Sequence, residues 1–415
     1  MGRMRAATPA GVLGYEEAAA VVRREAEALR ATVGSRGVER VPLAEAVGRV
    51  VAEPVIADRD QPPFARSARD GYACRAADLA EGPLRVMGQV RAGEVWTGEA
   101  VGPGETVEIM TGAPVPEGAD TVVMLEHVVL EAGHISMAGP RETAAGENIV
   151  PAGAEARAGE EIIPAGRRIG VMQAGAAASY GATELEVFRQ PRAAILTTGD
   201  ELVEIGERPL GHQIRNSNRS TLTAQVAAAG GESVALPIVR DQRAATVEAI
   251  RAAAGHDLLL LSGGVSRGKF DFVEEALLAE GAEFFFTGVH IQPGHPLVFG
   301  RLRGAYFFGL PGNPISTIVT FSLFAAPLLR ALGGERETGP AFRLAHLEEE
   351  VRVRPGLTRF LPACIESDVG GARVRRIGWQ GSGDLSAAAQ ASAFLVVPAT
   401  EERLGAGEIV SVLEI

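Results

Sequence analysis

The sequence predicts a multidomain α/β plus β chain: a doubly wound, mostly parallel sheet accompanied by two β-rich modules. Three observations carry this. Between Arg192 and Leu332, strand-length apolar runs alternate with helix-length amphipathic runs, at the spacing of strand–helix–strand crossovers. Leu258-Leu259-Leu260-Leu261 is a run of leucines too short for a helix and bounded by turn residues, as in a central strand buried on both faces. Leu84 to about Val129, and residues 340–415, instead break into short strands separated by glycine and proline turns.

At 415 residues the chain exceeds one ordinary domain. A formal net charge of −12 leaves no basic surplus to replace phosphate counterions, which argues against nucleic-acid binding. Lys269 is the only lysine, so any anion site must rest on arginine, backbone N–H groups or a bound metal. Cys74 and Cys364 support neither a disulfide framework nor a cysteine-rich metal site, and a reducing cytoplasm is the expected location. Met1 to Gly14 lacks the apolar core of a signal peptide, and no unbroken run of apolar residues suggests a membrane span.

In chain order, Tyr15 to Ala31 is expected to be a helix, with Glu16 and Glu17 in its first turn and Arg30 near its end, as the dipole favours. Val38 to Ile56, punctuated by Pro42 and Pro54, reads as extended connection. Gln61 to Ala73 is a proline-stiffened loop whose Asp70-Gly71 turn exposes a carboxylate. Strands at Leu84–Val86, Thr106–Met110 and Thr121–Met124 follow, then a glycine-punctuated polar loop over Gly146–Glu155 and a short helix over Ile169–Tyr180.

The α/β part is expected to hold strands at Ala193–Thr197, Ser233–Val239, Leu258–Leu261, Glu283–Val289 and Ala305–Leu310. Its expected helices are Arg219–Ala229 capped by Asn218, Gln242–Ala254 capped by Asp241, Phe272–Glu280 opened by Asp271, and Ile315–Leu332. Gly333–Gly339 is hinge-like, and short strands at Leu347–Val353, Arg373–Ile377, Phe394–Val397 and Ile409–Ile415 make a terminal β domain. Right-handed crossovers would gather Asp200, Glu201, Ser262, Asp271, Gln292, His295 and Asn313 along one sheet edge. The Ser262-Gly263-Gly264 turn there can bring N–H groups to an anion, or can serve simply as a connection.

Several stretches together carry a family resemblance. They are Phe64 to Ala73, with its Ser-x-x-Asp-Gly-Tyr-Ala pattern, Ile109-Met110-Thr111-Gly112-Ala113-Pro114-Val115-Pro116 and Thr198-Gly199-Asp200-Glu201-Leu202. Ser262-Gly263-Gly264-Val265-Ser266, Gly309-Leu310-Pro311-Gly312-Asn313-Pro314 and Gly381-Ser382-Gly383-Asp384 complete the set. In order and spacing the chain, from about residue 12 onward, resembles the molybdopterin molybdenumtransferases, the family that includes the C-terminal domain of gephyrin. The resemblance implies an α/β molybdopterin-binding domain (12–37 and 182–332) and an extended connecting domain (38–56 and 159–181). It also implies an inserted β-rich domain (57–158) and a C-terminal β-barrel (333–415).

The implied reaction joins adenylylated molybdopterin with molybdate, releases AMP and uses Mg²⁺. It would proceed in a homodimer whose site lies between the α/β domain of one copy and the inserted domain of the other. The upstream molybdopterin adenylyltransferase is the implied supplier of substrate. Asp70, Glu155, Glu201 and Asp271 align with the family's acidic positions, with Glu201 and Asp271 as the cation ligands. Thr111, Asp200, Ser262, Gly263, Gly264, Ser266, Lys269, Gln292, His295, Pro311, Gly312, Asn313 and Arg359 would contact substrate. The local alternatives are a helix cap for Asp271, an exposed turn for Asp200-Glu201 and a solvated loop for Glu155.

The chain also departs from the family. Gln292 and His295 stand where lysines are usual, Val150 replaces a basic residue, Ala154 replaces the first of a Glu-Asp pair, and Gly356 to Phe360 only loosely follows a Gly-Arg motif. Each lost charge-assisted bond would weaken anion binding by about 1.5–3 kcal/mol. Arg267, Lys269 and a protonated His295 could restore part of that charge. The alternative expectation is therefore a catalytically reduced or tungstate-preferring paralogue acting as a pterin-binding scaffold. Adenylyl transfer to molybdopterin itself would leave the inserted and terminal domains unexplained.

Overall fold

The computed structural model describes residues 11–30, 32–264 and 272–415. Helix α1 (Tyr15–Arg30) buries Ala18, Val22, Ala26 and Leu29, a 3.6-residue stripe, and leaves its charged face to solvent. The next sheet contains β1 (Gly71–Cys74), β2 (Leu84–Val90), β3 (Glu105–Ile109), β4 (Thr121–Met124), β5 (Val128–Glu131) and β6 (His134–Met137), in the order β4-β1-β3-β2-β6-β5. Gly71 is required at the start of β1, because a Cβ there would lie 2.0 Å from the Val123 carbonyl oxygen. The short helix α2 (Val171–Ser179) follows.

The central sheet begins with β7 (Arg192–Thr197) and α3 (Ser217–Ala228), then β8 (Glu232–Ala235), α4 (Arg243–Ala252), β9 (Leu258–Ser262) and α5 (Val273–Ala279). It continues with β10 (Glu283–Phe286), β11 (Val298–Leu302), β12 (Ala305–Leu310), α6 (Pro314–Thr320) and α7 (Ala326–Leu332). The order is β8-β7-β9-β12-β11-β10, parallel from β8 to β12 and antiparallel at β11 and β10.

The leucine run occupies the middle, buried on both faces. Leu258 and Leu260 pack into the core shared with α1, α3, α6 and α7, while Leu259 and Leu261 face α4 and α5. Burying four leucine side chains contributes on the order of 6–12 kcal/mol toward folding before entropy is counted.

The terminal strands β13 (Phe342–Leu347), β14 (Thr358–Asp368), β15 (Gly371–Arg376), β16 (Ala393–Val397) and β17 (Ile409–Glu414) close into a five-stranded barrel, because β14 pairs with both β15 and β16. Phe360, Phe394 and Leu413 of the barrel enter the same core as α1 and α7. Tyr15 meets Phe360 edge-on at 5.8 Å and Phe324 at 6.1 Å, so the barrel is docked on the sheet domain by aromatic packing.

Several expectations need correction. The helix after β12 runs unbroken over Pro314–Leu332, as expected, but it widens into a π-turn at Phe321–Ala325 between α6 and α7. Pro327 accounts for this, since it lacks an N–H and its ring crowds the carbonyl one turn back. The Pro314–Leu332 run is apolar enough to cross a membrane by length and mean hydropathy (1.7), yet 83% of it is buried inside the fold.

Asn218 does not cap α3; Asn216 does, accepting from the Arg219 N–H. Gln242, not Asp241, occupies the cap position of α4. Glu184–Phe188, expected with the α/β domain from residue 182, pairs instead with Val38–Pro42. Its Leu185 and Val187 share a small core with Val51, Val55, Ile163 and Ile169, so the segment belongs with the connecting residues.

One side chain fastens three of these parts together. Arg168 forms a two-pronged ion pair with Glu335 (3.1 and 2.6 Å) and donates to the carbonyls of Gly48 and Ala229. It thereby joins the connecting segment, the end of α3 and the hinge before the barrel.

Candidate functional site at the carboxyl edge of the sheet

Three neighbouring strands end in register: Thr197 lies beside Ser262, and Ser262 beside Leu310. The ladder runs one step further, with Thr198 N–H donating to the Ser262 carbonyl at 3.0 Å and Gly263 N–H to the Leu310 carbonyl at 3.3 Å. Three turns therefore leave the sheet side by side: Thr198–Glu201, Gly263-Gly264 and Pro311–Asn313. Both glycines of the middle turn are obligatory. Gly263 has φ +96° and would place a Cβ 2.6 Å from the Thr198 carbonyl oxygen. Gly264 has φ +66° and would place one 2.8 Å from Val273 Cγ2. Across the turn, a Cβ on Gly312 would stand 3.7 Å from the Gly263 Cα, an ordinary contact.

The polar side chains at this edge are tightly organised. Asn218 Nδ2 donates to Ser262 Oγ (2.8 Å) and to the Gly312 carbonyl (2.7 Å). Its neighbour Asn216, buried, donates to Thr197 Oγ1 at 2.8 Å. Among the described residues, Thr198 Oγ1 and Asn218 Oδ1 are buried without a hydrogen-bond partner. Each such group costs about 1–3 kcal/mol, so this edge holds polar groups that packing alone does not justify. Asp200 accepts from the Asp241 N–H through its carboxylate and from Arg240 through its carbonyl. The Glu201 carboxylate folds back over Gly199 and accepts no hydrogen bond from the described residues.

Because β11 runs antiparallel to β12, with Val298 beside Gly309, the Gln292–Pro296 loop also lies beyond the carboxyl end of β12. Gly294, at φ +115°, presses it onto α6: a Cβ there would meet Thr320 Cγ2 at 2.5 Å. His295 is exposed, and its Nδ1 donates to the Val289 carbonyl at 2.9 Å. Gln292 pairs in register with Arg359 of β14, whose guanidinium donates to the Arg354 carbonyl. The barrel reaches the edge a second time: Asn313 Nδ2 donates to Ser382 Oγ (2.9 Å), and the Ile315 N–H donates to the Ser382 carbonyl (3.0 Å).

The structure thus brings Asp200, Glu201, Ser262, Gly263, Gly264, Gln292, His295, Pro311, Gly312 and Asn313 to one edge, with Arg359 alongside Gln292. Ser266, Lys269 and Asp271 lie outside the described residues. Asp70, Thr111 and Glu155 belong to the inserted part. Asp70 Oδ1 accepts from the Thr111 N–H (2.6 Å) and hydroxyl (2.7 Å), and these bonds hold its exposed carboxyl below the usual carboxylate range. Glu155 pairs with Arg66 at 2.8 Å. Burial pushes the Cys74 thiol up to about 12, which excludes it as a nucleophile at neutral pH.

Asn218 is the site residue that sequence reasoning missed. The Asn216-Ser217-Asn218 triplet offers two candidate caps, and once Asn216 takes that role Asn218 is released into the edge. A cleft of about 1040 Å³ between α1 and the barrel, lined by Tyr15, Arg23, Pro327, Phe342 and Val396, contains none of the candidate residues.

The chain can now be set beside known proteins. Residues 13–181 match the family described as MoeA N-terminal region (domain I and II), residues 194–331 a probable molybdopterin binding domain, and residues 345–415 the MoeA C-terminal region (domain IV). The molybdopterin molybdenumtransferase of Haemophilus influenzae is 34% identical over 384 residues, covering 90% of this chain and 93% of that one. The Staphylococcus aureus enzyme of the same name is 32% identical over 380 residues, 90% of each. Two crystal structures of the molybdopterin biosynthesis MoeA protein from Pyrococcus horikoshii superpose with TM-scores of 0.71 and 0.76, at 31% and 28% identity. They cover 97% of this chain and 99% and 100% of theirs. With all three family regions present in order, and close similarity along nine-tenths of the chain, this protein belongs to the molybdopterin molybdenumtransferase family.

Proposed function

We propose that the chain inserts molybdenum from molybdate into molybdopterin delivered in adenylylated form, releasing AMP. The observation that carries this reading is the triple strand-end edge. The Gly264 N–H of its glycine turn, Ser262 and Asn313 supply neutral donors of the kind that seat phosphate oxygens, and Glu201 stands beside them as an uncommitted carboxylate. Gln292, His295 and Arg359 lie at the barrel side of the edge and offer polar contacts to an oxyanion.

Mg²⁺ fits this edge in a limited way. Among the described residues no three His, Cys, Asp or Glu side chains cluster as a ready cage. Mg²⁺, however, typically takes one or two carboxylates and completes its shell with substrate phosphates and water. Glu201 would be one ligand and Asp271, outside the described residues, the second. The ion would neutralise charge on the phosphoanhydride.

The reading extends to a homodimer in which Asp70 and Thr111 of one copy face the edge of the other, since within one chain Asp70 is engaged by its own inserted sheet. It also places the protein in the cytoplasm, taking substrate from the upstream adenylyltransferase. The test is complementation. Asp70→Asn and Ser262→Ala proteins, each inactive alone, are unfolded, mixed and refolded together with adenylylated molybdopterin, Mg²⁺ and molybdate. Random pairing leaves one intact site in half of the dimers, about a quarter of wild-type AMP release. No recovery would sink the shared site. A wild-type protein that binds adenylylated molybdopterin without releasing AMP would favour the scaffold reading that Gln292 and His295 suggest.

A further inference from the structure

The geometry points to Asn218 as a positioning residue that makes the Ser262 hydroxyl a hydrogen-bond donor toward an anionic phosphate ester. This inference rests on the proposed function for the identity of the anion, and on the structure for everything else.

The amide orientation is fixed by its surroundings. The Gly312 carbonyl can only accept, so the atom 2.7 Å from it must be Nδ2, and the same nitrogen lies 2.8 Å from Ser262 Oγ. Both amide protons are thereby committed, one to each strand end. Ser262 receives a proton from Asn218 and must direct its own elsewhere. Its bond to the Pro311 carbonyl is long at 3.4 Å and shares that oxygen with the Thr317 hydroxyl at 2.6 Å. The Ser262 O–H is therefore the weakly held donor at the root of the Gly263-Gly264 turn, the one an anion there can draw away.

A serine hydroxyl serves an oxyanion only while its proton points outward. With an acceptor in place of the Asn218 amide, the hydroxyl would turn inward and present lone pairs to the anion. The same amide draws the ends of β9 and β12 together, which keeps the Gly263 and Gly312 backbones in close contact. Asn218 Oδ1 remains buried and unpartnered among the described residues, so the side chain is held for what its nitrogen does.

The experiment is an equilibrium titration of the full chain with AMP, run from pH 5 to 8 and normalised to wild type, with KM and kcat for AMP release measured in parallel. Asn218→Asp is nearly isosteric but cannot donate when ionised. It should weaken AMP binding about tenfold or more near neutral pH and recover as the introduced carboxyl is protonated toward pH 5. Asn218→Ala should be weakened at every pH, without recovery. In a Ser262→Ala background, Asn218→Asp should add little. KM should rise more than kcat falls. Equal and pH-independent losses for Asn218→Asp and Asn218→Ala would overturn the inference, as would a full Asn218→Asp effect without the serine. If the variants show this pattern of AMP binding while the wild-type chain turns nothing over, the transferase reading falls and this one stands.

Discussion

Replacing Gly263 with alanine puts the crowding of the edge on a numerical footing. The backbone there sits at φ +96°, and the new Cβ would stand 2.6 Å from the Thr198 carbonyl oxygen and 3.0 Å from Thr198 Oγ1. A left-handed backbone costs an L-residue about 1–2 kcal/mol. Relief of the overlap requires Thr198 to retreat, which stretches the 3.0 Å bond from its N–H to the Ser262 carbonyl. Such a bond is worth about 0.5–1.5 kcal/mol net, so the variant should lose about 1.5–3.5 kcal/mol.

Gly255 supplies the control, with φ +90° and nothing within 4 Å of its Cβ position. Gly255→Ala should lose only the backbone part, about 1–2 kcal/mol. Urea unfolding followed by far-UV circular dichroism, with hydrogen exchange on β7 and β9, separates the two. The midpoint of the transition that reports the central sheet should fall further in Gly263→Ala than in Gly255→Ala. AMP release should fall in Gly263→Ala and persist in Gly255→Ala. Matching midpoints and matching turnover would show that the Thr198 carbonyl does not crowd the turn.

Thr111→Val removes one of the two bonds that depress the Asp70 carboxyl. A depressed carboxylate favours the native site above its usual range and loses that benefit as pH falls, so the variant's acid limb of AMP release should move to higher pH. An unmoved limb, in profiles from about pH 4 to 8, would mean Asp70 does not act as a carboxylate. His295→Lys should lower KM for adenylylated molybdopterin by adding a charge-assisted contact to the anion at this edge; an unchanged KM would discard that role. Ser382→Ala deletes the Asn313 side-chain bond but keeps the Ile315 backbone bond. It should cost about 0.5–1.5 kcal/mol, visible as faster amide exchange over residues 381–384, and unchanged exchange would mean the clasp holds nothing.

The central sheet was legible because its pattern is local. Leu258–Leu261 has strand length, turn residues at both ends and no polar face, and it lies buried in the middle. What escaped was hidden by residues that imitate breaks. Gly300 interrupts the apolar run of β11, where a side chain would collide with the Glu283 carbonyl at 2.2 Å, so the antiparallel strand went unpredicted. Pro362 sits inside the long strand β14, where proline argues against a strand. The edge turns Thr198–Glu201, Ser262–Gly264 and Pro311–Asn313 were visible as turn chemistry next to strand ends. The role of Asn218 was not, because a cap and a cross-strand bridge have the same residue requirement and only the third dimension separates them.

The Arg168 fastening bears on how this protein can be taken apart. A fragment beginning at Arg192 would leave the Ala229 carbonyl and the Glu335 carboxylate without their cation, at a surface never meant to meet water. The half-buried guanidinium would meet the same fate in the complementary piece. The molecule is therefore a poor source of excisable modules, and a graft of its sheet onto another scaffold must carry along the turn around Gly48 that feeds the same knot.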